Sequence, residues 1–502
     1  MKKKRVKKTA KKTSTKKASA KRTTRKASPK KGVKIMKTKT IKGEKPERGI
    51  IRSINPFTET VMNEFMTMSP REVVSIIAKS RAVFEVWRDK PVAERLSYVT
   101  RLAAVLRQEK RNYAELMTKE MGKPIKDAMA EVEKSATLCD YYAANAVRML
   151  ANEMVATEAK KSYVAFEPLG IVLAIEPWNF PFWQVFRAAV PSVSAGNVVV
   201  LKHASNVPMT ALAIEDAFHR AGFPENVFTT LLIDPAATVK LIDDDLVDAV
   251  ALTGSNRAGE EIGAHAGGKI KKVVLELGGS DPFIVLDDAD VEKAARTAAN
   301  ARMVNSGQSC IAAKRFIVME SVAEEFTKHF IARLREMKIG DPMDETTDIG
   351  PVARKDIRNG LKAQLADAKR KGAKTVELPQ PLSKGYFFAP CVVLNATAKM
   401  KVLSEEVFGP IAPIITVKNA DEAIRIANNT EYGLGAAIWS KDTARAERLA
   451  RRIESGFVAI NDMVRSDPRL PFGGVKKSGV GRELSHFGLR EFVNIKTVVV
   501  KE

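Results

Sequence analysis

An α/β fold built on parallel sheets is the expectation for this chain, and three observations carry it. From Tyr163 onward, short β-branched runs at 171–175, 197–201, 227–233, 247–253 and 272–277 alternate with helical stretches. After Gly279 a second alternation begins, with strands expected at 283–286, 315–319, 411–417, 435–439 and 457–461. The length of 502 residues exceeds what one ordinary core holds, so two or three domains are expected.

The elements follow in order. Residues 1–40 are rich in Lys, Arg, Ala, Ser and Thr, a composition that buries too little apolar surface to offset the entropy of ordering. This tail is expected to be disordered. It holds 19 Lys or Arg and no Asp or Glu, so only +5 of the net charge of +24 belongs to the other 462 residues. The excess allows weak, salt-sensitive attraction to DNA or RNA, or a solubilising role. Translation from Met1 or from Met36 is equally open to the sequence. Regular structure should begin near Ile50. Ser69-Pro70-Arg71-Glu72 is a capping box with proline at the first helical position. Apolar spacing then predicts that helix, a second from Val92 towards Gly122, and a third over about 126–150. The domains expected are 41–278 for a cofactor, with a hairpin near 160–170, then 279–470 for catalysis, and a terminal segment 471–502. No uncharged apolar run approaches the roughly 18 residues that cross a bilayer, so no membrane partner is expected. No hydrophobic signal segment is seen, and Cys139, Cys310 and Cys391 lie far apart without metal-ligand spacing. A reducing, cytoplasmic setting without a bound metal fits that usage.

In parallel sheets, ligands bind beyond the carboxyl ends of the strands. The unusual residues sit there: Pro177-Trp178-Asn179-Phe180-Pro181, Lys202-His203-Ala204-Ser205, and Thr253-Gly254-Ser255. Cys310 closes the hexapeptide Asn305-Ser306-Gly307-Gln308-Ser309-Cys310. It is a nucleophile if its thiol is activated and a packing residue if it is not. Glu276, before Gly278 and Gly279, suits a base or a salt bridge. Asn179, between two prolines, suits an oxyanion donor or a turn. Gly254 and Ser255 open a helix where phosphate is favoured, or form an ordinary strand–helix turn. Lys202 and Ser205 could reach an adenosine ribose or its phosphate, or be simply solvated.

Together with Glu405-Glu406-Val407-Phe408-Gly409-Pro410 and Pro471-Phe472-Gly473-Gly474, these stretches resemble the aldehyde dehydrogenase superfamily over about residues 50–502. Within it the chain is most similar to succinate-semialdehyde dehydrogenases. The resemblance implies two α/β domains plus a small β oligomerisation element, and a homodimer or homotetramer in which the 162–169 hairpin and the terminal strand pair between subunits. It implies that Cys310 attacks the aldehyde carbon, Asn179 steadies the oxyanion, and Glu276 activates water to release an acid. It places Glu406 on the nicotinamide ribose, Phe408 on the ring, Trp178 along the cleft, Lys202 on the adenosine ribose, and Ser255, after Gly254, on the pyrophosphate. Ser205 stands where NAD-preferring relatives often carry glutamate, so NADP is expected as the preferred cofactor, with NAD possible. A carboxylate-tailed substrate needs a cation, for which Arg187, Arg465 and Arg469 are the candidates. The expected reaction is oxidation of succinate semialdehyde. Glutarate semialdehyde or an aliphatic aldehyde is the alternative, as is the same enzyme with an added nucleic-acid-binding role.

Overall fold

The first element among the described residues is a hairpin, β1 (Ile50–Asn55) against β2 (Thr60–Met66). The computed structural model describes residues 48–379 and 382–502, so the Lys-rich tail expected over 1–40 lies outside the described residues. Four helices follow: α1 (Pro70–Trp87), α2 (Val92–Gln108), α3 (Lys110–Met121) and α4 (Ile125–Met149). Ser69 and Glu72 form the predicted capping box on α1. The single helix expected from Val92 to Gly122 is two, because Glu109 leaves the helical region at φ −98°, ψ 11°. Gly122 then stops α3 in the left-handed conformation, φ 78°.

Next come β3 (Glu153–Met154), β4 (Lys161–Pro168), β5 (Ile171–Glu176), α5 (Pro181–Ala195), β6 (Val198–His203), α6 (Pro208–Arg220), β7 (Phe228–Thr230), α7 (Pro235–Ile242), β8 (Val247–Thr253), α8 (Asn256–Gly268) and β9 (Lys272–Glu276). The second alternation runs β10 (Pro282–Val285), α9 (Val291–Met303), β11 (Arg315–Met319), α10 (Ala323–Glu336), α11 (Lys355–Arg370), β12 (Lys374–Glu377), β13 (Cys391–Leu394), α12 (Lys401–Ser404), β14 (Ile411–Val417), α13 (Ala420–Asn428), β15 (Gly435–Trp439), α14 (Thr443–Ala450) and β16 (Phe457–Ile460). The chain ends with β17 (Gly479–Val480), α15 (Ser485–Glu491) and β18 (Val493–Val500).

Two sheets organise these elements. The first has the order β17-β9-β8-β5-β6-β7 and is parallel except for β17. The second has the order β12-β13-β14-β11-β10-β15-β16 and is parallel except for β12. The sheets change over between Glu276 and Pro282. Strands β12 and β13 escape the sequence pattern: one is a polar edge strand, the other only four residues behind a proline. Strands β5 and β6 read as unbroken apolar runs because helices cover both their faces. By this geometry the carboxyl ends of β5, β6, β8 and β9 meet on one side, carrying Glu176, His203, Thr253 and Glu276.

A third, three-stranded sheet corrects an expectation. The 162–169 segment and the terminal strand were to pair between subunits, but β18 pairs antiparallel with β4 along eight residues of the same chain. The matching lengths and β-branched run of β18 make that local closure favourable. Among the described residues, no helix is long and apolar enough to cross a membrane.

Candidate active site

The site begins where α9 ends. Met303 is followed by a tight turn in which Asn305 (φ 53°), Ser306 (φ 56°) and Gly307 (φ 79°) are all left-handed. Two non-glycine residues in that region cost roughly 1–3 kcal/mol each, so the surroundings must over-determine them. They do. Asn305 Nδ2 donates to the Asn179 carbonyl at 2.7 Å, and Ser306 Oγ donates to the Gly350 carbonyl at 3.1 Å. Gln308 Oε1 accepts from the Ala353 amide at 2.8 Å. A Cβ on Gly307 would lie 2.5 Å from the Gly409 carbonyl carbon, so only glycine passes there. Arg302, fully buried, donates to the Gly307 carbonyl at 2.8 Å, the Val407 carbonyl at 3.1 Å and the Gly409 carbonyl, and to Ala313 at 3.0 Å. The arginine next to the nucleophile loop is therefore a brace and not a substrate ligand.

Cys310 emerges from this turn half-buried. Lys314 donates to its carbonyl at 2.6 Å and to that of Ser309 at 2.9 Å, and lies 3.2 Å from Glu406. Burial pushes the Cys310 thiol up to about 12, against the pull of the Arg187 and Lys314 cations. The resting thiol is protonated near neutral pH and needs a base.

Asn179 follows β5 in the proline-bounded loop. It is buried, and its Nδ2 donates to the Gln308 carbonyl at 3.2 Å, so one amide hydrogen points into the nucleophile turn. The loop is held from α4. Glu131 Oε1 accepts the Phe182 and Trp183 amides at 2.9 and 3.0 Å, while its other oxygen meets the buried Lys123 ammonium. A carboxylate at the amino end of α5 is favoured by its exposed amides.

Glu276 closes β9. Both its carboxylate oxygens are buried without a hydrogen-bond partner. Gly473 passes so close that a Cβ there would sit 2.7 Å from Glu276 Oε1. Burial, then the Glu483 carboxylate, raise the Glu276 pKa well above the ordinary carboxylate range, and Arg187 and Arg482 act the other way. Glu176, also buried with both oxygens unpartnered, is raised for the same reason. Arg187 sits among these acids, 2.8 Å from Glu483 and 4.8 Å from the Phe472 ring centroid.

Cys310 and Arg187 border a cavity of about 890 Å³ whose wall also includes Asn305, Phe180, Trp183 and Phe472. Arg465 also lines it. Arg469 is not on the wall. It is largely exposed and forks onto Asp467 at 2.8 and 2.6 Å, a local pairing two residues away that outcompetes any reach inward.

The expected cofactor residues gather at the strand ends. Trp178 packs edge-on to Phe408 at 5.7 Å. Glu406 accepts the Gly279 amide at 3.1 Å. Ser255 caps α8, accepting from Ala258 at 3.3 Å, and the Gly254 amide donates to the Glu276 carbonyl at 2.9 Å. Lys202 lies one residue before the end of β6, half-buried, with its pKa lowered by burial, and Ser205 in the following turn is exposed. Among the described residues neither side chain has a hydrogen-bond or ion-pair partner. An unpaired cation with a free hydroxyl beyond a parallel strand fits an adenosine phosphate. Glu483, Lys314, Arg302 and Glu131 were missed or misjudged from the sequence. Only Glu483 had a local signal, its place behind a glycine-rich run.

A turn-borne cysteine, an amide aimed at it, a desolvated carboxylate and a nucleotide-like cleft define one class. The profile of the aldehyde dehydrogenase family matches residues 41–498, and the chain belongs to that family. It is 48% identical to a probable NADP+ succinate-semialdehyde dehydrogenase of Synechocystis, over 89% of this chain and 99% of that protein. It is 44% identical to an NAD(P)+ succinate semialdehyde dehydrogenase of Escherichia coli, over 89% of this chain and 97% of that one. The solved succinic semialdehyde dehydrogenase of Streptococcus pyogenes, in complex with NADP+, is 35% identical, with a TM-score of 0.88 over 90% of this chain and all of that chain (100%).

Proposed function

We propose that this chain oxidises succinate semialdehyde to succinate, with NADP as the preferred cofactor and NAD accepted. The observation that carries the reading is Cys310 on a cavity lined by Arg187, Lys134 and Arg465, with Asn179 bonded into its turn and the buried Glu276 carboxylate within electrostatic reach of the thiol. Relatives named for that substrate support it. Lys202 and Ser205 would hold the adenosine end, Ser255 and Gly254 the pyrophosphate, and Glu406, Phe408 and Trp178 the nicotinamide half. When bound, the nicotinamide supplies the hydride acceptor.

The chain's own part follows from its chemistry. Glu276 takes the thiol proton, and Cys310 Sγ bonds to the aldehyde carbon while its oxygen gains the electron pair of the C=O π bond. The Asn179 amide and the Cys310 backbone N–H stabilise that oxyanion. Once the carbon is oxidised to a thioester and Glu276 has released the thiol proton to solvent, its carboxylate removes a proton from water, the hydroxide displaces the thiolate, and the acid leaves with Cys310 restored. The hydrophobic wall of Phe180, Trp183 and Phe472 limits stray water.

A homodimer or homotetramer in a cytoplasmic setting completes the reading. Exposed Ile495, Val499 and Val500 on β18 support a further contact there. Weak DNA or RNA binding by the basic tail is an added role of the same enzyme, supported by its charge alone. Steady-state kinetics on succinate semialdehyde, glutarate semialdehyde and butanal, each with NADP and NAD, test the reading. The highest kcat/KM should fall on succinate semialdehyde with NADP; a preference for butanal would end it.

A further inference from the structure

Six cations line the substrate cavity: Lys123, Lys126, Lys134, Arg187, Arg333 and Arg465. Five are matched to a carboxylate. Lys123 meets Glu131, Lys126 meets Asp348 at 2.5 Å, Arg187 meets Glu483 at 2.8 Å, Arg333 meets Glu336 at 2.9 Å, and exposed Arg465 lies 3.8 Å from Asp462. Lys134 differs. Among the described residues no carboxylate lies within ion-pair range of it. Its ammonium sits 4.3 Å from the Trp183 ring centroid and donates to Ser466 Oγ at 2.8 Å.

An ammonium has three donors. One is used on Ser466, and the indole face holds the charge without consuming another. Two donors therefore remain in a half-buried group on the same wall as Cys310. Arg187, the obvious clamp from the sequence, also keeps buried donors without a hydrogen-bond partner, but its charge is answered by Glu483 2.8 Å away.

We infer that Lys134, held by Trp183 and Ser466, binds the carboxylate tail of the substrate and sets the preference for acid-tailed over neutral aldehydes. This rests on the reading of the substrate as a semialdehyde acid. The charges around Lys134 agree with it. Burial and then the Arg187 cation push its pKa down to about 8, with Arg465 acting in the same sense, while Glu131 and Asp467 oppose them. A cation short of a counter-charge gains most from an arriving carboxylate. Below that pKa the ammonium is charged and binds; above it the neutral amine does not.

The test is the ratio of KM for succinate semialdehyde to KM for butanal, measured on the full chain with NADP. A charge-assisted hydrogen bond is strong enough that K134M should raise this ratio roughly tenfold to a hundredfold, while Lys134→Arg should retain much of the native value. In the native chain the ratio should climb as pH rises through 8, because butanal carries no charge. A K134M ratio equal to the native one, at an unchanged melting temperature, overturns the assignment. So does a native ratio that stays flat from pH 7 to about 9.5, a measurement that holds even where K134M fails to fold. A native enzyme that does not favour succinate semialdehyde over butanal removes the substrate reading itself, and the role of Lys134 with it.

Discussion

The nucleophile turn and the nucleotide cleft lie on the same side of the parallel sheet, yet they are built in opposite ways. Around Asn305–Cys310 every strained residue is tied: Asn305 to the Asn179 loop, Ser306 to Gly350, Gln308 to Ala353, and the whole turn to Arg302. At Lys202 and Ser205 the side chains are left without partners. The difference is chemical. Attack on a carbonyl needs sub-ångström placement of the thiol and of the amide that meets the oxyanion. A nucleotide brings its own charges and hydroxyls, so its site works best with donors held in reserve until it arrives.

The contrast can be broken from the tied side first. Cys310→Ala should lower oxidation roughly 10⁴-fold or more while leaving the fold and nucleotide binding intact, as fluorescence titration with NADPH would show. Glu276→Gln should slow turnover by about 10²–10⁴. Rapid-quench kinetics should show acyl-enzyme forming slowly and then persisting, because both thiol activation and thioester release lose their base. The pH dependence has a defined sign. Glu276 works as the carboxylate, and burial raises its pKa, so native kcat should fall as pH drops through that raised value. Glu276→Gln should lack this acid limb.

Arg302→Met probes the brace. It strands four buried carbonyls, each costing about 1–3 kcal/mol when unsatisfied. A loss of about 3–5 kcal/mol in denaturant unfolding is expected, with kcat falling more than the affinity for NADPH. A variant as stable as the native chain would show that the turn holds itself. The smallest effect should come from the open side. Ser205→Glu places a carboxylate where a 2′-phosphate would lie and should swing the NADP/NAD ratio of kcat/KM towards NAD by roughly tenfold to a hundredfold. An unchanged ratio would remove Ser205 from the cofactor site.

How much was legible depends on whether a feature is local. The β5–β9 alternation, the capping box at Ser69, and the glycine and proline punctuation of the loops are short-range signals, and the strands appear close to where the pattern puts them. The break at Glu109 and the short strands β12 and β13 depend on packing and sheet pairing, which apolar periodicity does not report. Charge was the least readable property. Arg187, Arg302, Arg465 and Arg469 look alike in a sequence. In the fold one is paired inside the site, one braces the turn, one stands exposed at the cavity mouth, and one is turned away to Asp467.

The chain's sequence alone determined its class. Ordered motifs around Asn179, Glu276, Cys310 and Glu406, spaced by α/β elements, are read without knowing where any side chain points. Only the tertiary structure decided which charges are free. A salt bridge forms between groups far apart in the chain, as Arg187 does with Glu483, and it cancels a charge that the sequence counts as available. Lys134, on a helix read only from its apolar spacing, stays without a counter-charge because folding brings it an indole and a hydroxyl but, among the described residues, no carboxylate in ion-pair range.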